Sequence, residues 1–86
     1  MTINKPVKCG TLESNDIFVM LTPNENGIVI ELESVVEKQF GAHIKNVIED
    51  KLKEMGITSV LVKAQDKGAL DYTIRARIEG AVKRSY

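Results

Sequence analysis

The 86-residue chain contains one cysteine, one histidine and no tryptophan, and these shortages exclude several kinds of site. A lone cysteine forms no internal disulfide, which is typical of an intracellular protein. Metal sites and nucleophile–base pairs need at least two cooperating groups, and neither Cys9 nor His43 has a partner at a suitable spacing. The sequence therefore favours a protein without a catalytic apparatus of its own.

The charge balance disfavours two classes of binding protein. Twelve basic residues balance twelve acidic ones, whereas proteins that bind nucleic acid or membrane surfaces draw affinity from a large basic excess. No segment approaches the roughly 20 apolar residues of a membrane span, and the N-terminus lacks the apolar run of a signal peptide. We expect a single soluble, cytoplasmic domain over residues 1–86.

Short apolar runs bounded by turn residues predict four strands. They span residues 7–12, 16–22, 28–33 and 57–64. Asn26-Gly27 separates the second and third runs and is a strong hairpin signal, so we expect these two strands to pair with each other. Because the second run is apolar on both sides, we also expect that strand to be covered on both faces.

Two longer segments have the apolar spacing of amphipathic helices. Ser34 and Glu37 have the spacing of a capping box and predict a first helix that begins at Ser34 and stops at Gly56. The second helix is expected between Ala69 and Val82. The order β-β-β-α-β-α predicts an α+β fold, in which both helices pack on one face of a four-stranded sheet.

A serine in a turn is the candidate functional residue. Ser14 lies in Ser-Asn-Asp, between the first two strands, where turn chemistry is strong. Ser34 is expected to cap a helix, Ser59 falls in a strand and Ser85 lies at the chain end, so Ser14 remains as an exposed hydroxyl. Spacing alone also fits an ordinary turn serine, although loops on a rigid sheet commonly carry function.

Three segments of the chain, in order and at fitting distances, carry a resemblance to a known family. They are Gly10-Thr-Leu-Glu-Ser14 with Asp16, Ser34-Val-Val-Glu-Lys-Gln-Phe-Gly41, and Asp66-Lys-Gly-Ala-Leu-Asp71 with Arg75, Arg77 and Glu79. Together they resemble the acyl carrier protein, or gamma subunit, of citrate lyase. The resemblance covers nearly the whole chain.

The resemblance implies that the chain is a carrier. In that family the serine matching Ser14 is joined through a phosphodiester to 2'-(5''-phosphoribosyl)-3'-dephospho-coenzyme A, whose thiol holds an acetyl thioester. The alpha subunit, an acyl transferase, exchanges acetyl for citryl on this thiol, and the beta subunit, the lyase, releases oxaloacetate and regenerates the acetyl form. A prosthetic-group transferase and an acetate ligase are the other implied partners.

Two arginines of the second predicted helix are further candidate binding residues. Arg75 and Arg77 are predicted to meet phosphates of the attached group or an acidic partner, since guanidinium binds phosphate in a bidentate manner. The alternative is that these arginines lie on a solvated helix face with ion pairs four residues apart.

Two alternative functions of the whole chain stay open. They are the carrier subunit of malonate decarboxylase, which uses the same type of group, and a small α+β interaction module without a covalent group.

Overall fold

The computed structural model describes residues 2–86 and has the predicted order of elements. The elements are β1 (Val7–Gly10), β2 (Ile17–Thr22), β3 (Ile28–Ser34), α1 (Glu37–Glu54), β4 (Val60–Asp66) and α2 (Asp71–Arg84). The α+β class is therefore confirmed. Within residues 2–86, neither helix combines the length and the apolar character that crossing a bilayer requires.

The strands form one mixed sheet in the order β1-β2-β4-β3. β2 pairs antiparallel with both of its neighbours, so that Val19 lies opposite Cys9 on β1 and opposite Ala64 on β4. β3 runs parallel to β4, with Leu32 opposite Ala64. The predicted hairpin between β2 and β3 is wrong, because β4 lies between these two strands.

The turn at Asn26-Gly27 exists, but it directs the chain towards a different neighbour. Gly27 has a left-handed backbone, with φ of 84°. Its carbonyl oxygen accepts hydrogen bonds from the Asn24 side-chain amide at 2.9 Å and from the backbone N–H of Val60 at 3.1 Å. The turn is therefore fixed against the start of β4, and β3 leaves it alongside β4 instead of folding back on β2.

Both helices pack on the same face of the sheet, as predicted, with α1 over β3 and α2 over β1 and β2. The largest fully buried aliphatic side chains of this layer are Ile17, Leu21, Ile48, Leu52, Ile57, Ile74 and Ile78. Each contributes about 1.5–3 kcal/mol by leaving water. On the opposite face Phe18 and Met20 remain only half-buried, so the expectation that β2 is covered on both faces is wrong.

The first helix starts three residues later than predicted. Ser34 is the last residue of β3, and its hydroxyl donates a 2.7 Å hydrogen bond to the carboxylate of Asp66 while accepting the N–H of Val36. The prediction that Ser34 caps α1 is therefore wrong: within the described chain Val36 occupies the cap position without a side-chain hydrogen bond. Gly56, with φ of 79°, follows the helix as predicted.

Candidate functional site

Ser14 lies where sequence reasoning places it, in an exposed turn between β1 and β2. The turn comprises residues 11–16 and is called the Ser14 turn below. Asn15 has a left-handed backbone, with φ of 65°, a conformation that asparagine tolerates better than most residues. Among residues 2–86, no hydrogen bond of the structure occupies the Ser14 hydroxyl. The hydroxyl is thus exposed and without a hydrogen-bond partner in the described part of the chain.

Backbone hydrogen bonds fix the Ser14 turn against the loop that joins β4 to α2. The N–H of Asn15 donates to the carbonyl of Lys67 at 2.8 Å, and the N–H of Lys67 donates to the carbonyl of Asp16 at 2.9 Å. A third bond, from the N–H of Asp16 to the carbonyl of Glu13 at 3.2 Å, closes the turn itself. The backbone that follows the exposed serine is therefore held by hydrogen bonds to Lys67 of the β4–α2 loop.

An ion pair between the buried Asp16 and the partly exposed Arg77 fixes the same side of the turn. Arg77 donates two hydrogen bonds to the carboxylate of Asp16, from Nε at 2.9 Å and from Nη2 at 2.7 Å. The Thr11 hydroxyl and the Ile17 N–H each donate a further bond of 2.7 Å to this carboxylate. These donors, Arg77 foremost, hold the pKa of Asp16 well below its usual range despite burial, which acts in the opposite direction.

Gly10 permits the turn to begin directly after β1. Its φ is 98°, a conformation that side chains other than glycine rarely adopt. A Cβ at this position would lie 1.9 Å from the carbonyl oxygen of Ile17, so the two chain segments approach too closely for any side chain. Thr11 consequently enters the turn at the correct place to donate to Asp16.

Asp66 forms a second polar centre at the same end of the sheet. It is 1% exposed and accepts hydrogen bonds from the Ser34 hydroxyl, from the N–H of Gly68 at 3.1 Å and from the N–H of Ala69 at 2.9 Å. These contacts shape the β4–α2 loop on which the Ser14 turn rests. Sequence reasoning missed this role, although the aspartate that follows an apolar strand and precedes Lys-Gly was the available signal.

The structure places Arg75 and Arg77 in different surroundings. Arg75 is half-exposed and donates to Glu54 of α1 at 3.1 Å, whereas Arg77 is held by Asp16 beside the Ser14 turn. Asp71 lies four residues before Arg75 on α2, but its carboxylate lies 2.9 Å from Nε2 of His43. Of the two arginines, only Arg77 contacts the turn that carries the candidate serine.

Neither remaining candidate for chemistry lies at the Ser14 turn. Cys9 is buried and lies opposite Val19 in the sheet, as expected of a small apolar side chain. His43 is exposed on α1 and pairs with Asp71. Within residues 2–86, no cluster of three or more histidine, cysteine, aspartate or glutamate side chains is arranged to hold a metal ion.

Comparison with known proteins defines the class of this chain. Residues 4–85 match the family model described as "ACP: Malonate decarboxylase delta subunit (MdcD)". The fold is similar to a chain in the crystal structure of a Pseudomonas malonate decarboxylase hetero-tetramer in complex with malonate, with a TM-score of 0.83 over 98% of this chain and 87% of that chain, at 20% identity. The family match over residues 4–85 places the chain in the class of small acyl carrier proteins.

Curated relatives narrow the class further. The citrate lyase acyl carrier protein of Halothermothrix orenii is 47% identical over 85 residues, which are 99% of this chain and 90% of that protein. That of Streptococcus uberis is 53% identical over 85 residues, covering 99% of this chain and 84% of that protein. The chain belongs to the family of citrate lyase acyl carrier proteins.

Proposed function

We propose that residues 1–86 form a single-domain acyl carrier subunit of a cytoplasmic citrate lyase, with Ser14 as the attachment point of 2'-(5''-phosphoribosyl)-3'-dephospho-coenzyme A. The observation that carries the proposal is an exposed, unoccupied serine hydroxyl on a turn whose backbone is anchored. A hydroxyl that is to be esterified by another enzyme needs access and a defined position. It needs no catalytic base of its own, because that enzyme activates the incoming phosphoryl group.

The surroundings of Ser14 fit a large attached group. The serine side chain points from a turn at the end of the sheet, and its flanking residues Leu12, Glu13 and Asn15 are exposed as well. A phosphodiester at this position therefore displaces no packed side chain. When bound, the group supplies the thiol that carries the acetyl or citryl thioester, and Ser14 supplies the fixed end of the tether.

In this proposal, the chain contributes to the reaction by holding the attached group in position. Asp16, Arg77 and the backbone bonds of Asn15 hold the base of the tether, while the acyl group is delivered to partners at a high effective concentration, in the millimolar range or thereabouts. The bond-making steps are assigned to the acyl transferase subunit (alpha) and the lyase subunit (beta). Loading is assigned to the prosthetic-group transferase, and formation of the acetyl thioester to the acetate ligase.

The predicted phosphate contacts of Arg75 and Arg77 remain a hypothesis. Both guanidinium groups already have carboxylate partners, Glu54 and Asp16. Arg77 is the better placed of the two, because it lies against the Ser14 turn and is about one-third exposed. Its bidentate contact with Asp16 gives it a positioning role even without a phosphate.

The variant Ser14→Ala tests the proposal. We expect unchanged stability, since the hydroxyl is exposed and has no partner in the described chain, loss of the covalent adduct from the intact mass, and loss of citrate cleavage by the reconstituted complex. Thr58→Ala removes another exposed hydroxyl and is the control, for which adduct and activity remain. An adduct that persists in Ser14→Ala protein from a host with active citrate lyase would refute the assignment.

The second candidate function is the carrier subunit of malonate decarboxylase, favoured by the description of the family match and by the structural likeness. Reconstitution separates the two. We expect the loaded chain to restore activity to carrier-free citrate lyase and not to carrier-free malonate decarboxylase. A chain that carries no adduct in its own host during citrate fermentation would instead favour the interaction module without a covalent group.

A further inference from the structure

A groove opens between the start of α1 and the β4–α2 loop and has no role in the function proposed so far. Its volume is about 320 Å³, within the range of small-molecule pockets. Its apolar walls are formed by Val36, Phe40 and Ile44 on one side and by Gly68, Ala69 and Leu70 on the other. We call it the α1–α2 groove.

The groove is lined mainly by apolar residues. The side chains of Phe40 and Leu70 are 51% and 60% exposed although both belong to the groove walls. Apolar side chains that face one another across an open cleft are typical of binding sites. The polar groups of the lining are His43 and Asp71, which form a 2.9 Å pair between the two helices.

One wall of the groove adjoins the Ser14 turn. The N–H of Asn15, the residue after Ser14, bonds to the carbonyl of Lys67, and the next residue, Gly68, begins the wall. A Cβ built on Gly68 would lie 3.6 Å from Oδ1 of Asn15, which places the wall in contact range of the turn. A long flexible group attached at Ser14 therefore starts beside the groove.

We propose that the α1–α2 groove binds the thiol-bearing chain of the Ser14-linked group, the part beyond its phosphates that consists of methylene, methyl and amide groups. This inference rests on the carrier function proposed above. The apolar walls match the methylene and methyl groups, and the His43–Asp71 pair offers polar contacts to the amides. Because the chain is tethered next to the groove, even weak affinity gives substantial occupancy. The bound state shields the thioester from water and from unrelated nucleophiles.

The test compares two variants of the loaded, full-length protein. Leu70→Gln alters an exposed groove residue, and Tyr72→Gln alters an exposed residue of the same chain segment outside the groove. We expect the tethered thiol of the wild type to react with iodoacetamide roughly fivefold more slowly than free coenzyme A. Leu70→Gln removes most of this protection and Tyr72→Gln leaves it unchanged. Cleavage of the alkylated protein after Glu13 separates the Ser14 peptide from Cys9, whose own thiol is thereby excluded.

The same samples give a second measurement, which tests the groove assignment separately from the carrier function. Loading should shift the amide resonances of Phe40 and Ile44 in the wild type, and much less in Leu70→Gln. If the adduct is on Ser14 but the thiol reacts as fast as free coenzyme A and these resonances do not move, the groove assignment is overturned while the carrier function stands. If the peptide that begins at Ser14 carries no adduct, both are overturned.

Discussion

Removing Arg77 is the sharpest test of how the Ser14 turn is held. The variant Arg77→Gln keeps a polar side chain on α2 but leaves the Asp16 carboxylate, whose side chain is only 12% exposed, without its bidentate partner. Two donors remain to that carboxylate, the hydroxyl of Thr11 and the N–H of Ile17. The expected result is a folded protein with a destabilised turn.

The size of the expected loss of stability follows from how far the Asp16–Arg77 pair is buried. Exposed ion pairs contribute about 0–1 kcal/mol, whereas removing one partner of a fully buried pair costs about 3–5 kcal/mol. Because Arg77 itself is 36% exposed, solvent screens part of the loss, and we expect Arg77→Gln to lower the free energy of unfolding by about 2 kcal/mol. For a chain of this length that is a fall in Tm of roughly 8–16 °C.

The effect depends on pH with a definite sign. The pKa of Asp16 is lowered in the folded state, so its contribution to stability is complete above the unfolded value of about 3.8 and is lost as the pH falls towards the folded value. In Arg77→Gln the pKa of Asp16 is lowered less. The stability difference between wild type and variant should therefore be constant above about pH 5 and shrink as the pH is reduced below 4.

Urea unfolding at several pH values, with Arg75→Gln as the matched control, measures this prediction. Arg75 and its partner Glu54 are both about half-exposed, so the control should unfold like the wild type. Hydrogen exchange gives the local readout. Relative to the wild type, Arg77→Gln should accelerate exchange more at the amides of Asn15 and Lys67 than at the amides of the core strands. Equal unfolding midpoints for the two variants at pH 7, or a stability difference that grows on acidification, would refute the reasoning.

Three further substitutions, with Gly27→Ala as a control for the first, test the packing around the site by urea unfolding. Gly10→Ala should cost at least about 3 kcal/mol, because it adds a backbone clash with Ile17 to the strain of a positive φ, whereas Gly27→Ala, with open space around it, should cost about 1 kcal/mol; equal losses would contradict the clash. Asp66→Asn should cost about 2 kcal/mol, since one acceptor oxygen is lost from a carboxylate that receives three hydrogen bonds; an unchanged midpoint would argue against that network. Ser85→Ala should be neutral or stabilising by up to about 1 kcal/mol, because the buried hydroxyl has no partner within residues 2–86, and a clear loss of stability would contradict this.

The parts of the fold that depend on local chemistry were predictable. Alternation of apolar residues located the strands, and spacing of three and four located the helices, because both patterns arise from which side chains must face the core. Gly56 ends α1 as its backbone freedom suggests. The exposure of Ser14 likewise followed from turn chemistry on either side of it.

Pairings between distant segments were not predictable from local signals. Asn26-Gly27 forms a turn, but the neighbour of β3 is β4 and not β2. β4 follows α1 in the sequence, so the local turn signal carries no information about this pairing. Ser34 has the spacing of a helix cap, yet its hydroxyl is taken by Asp66, 32 residues away. The proposal that Ser14 is the attachment site came from family resemblance, since an exposed turn hydroxyl has no distinguishing pattern of its own.

The contacts that hold the Ser14 turn determine how late in synthesis this turn can form. The turn is encoded near the beginning of the chain, but its partners Lys67 and Arg77 come from the last quarter of the sequence. During synthesis, residues 11–16 therefore acquire their final shape only when nearly the whole chain has emerged. Under the proposed function, an enzyme that recognises the folded shape of this turn would modify completed chains and would not modify nascent or truncated ones.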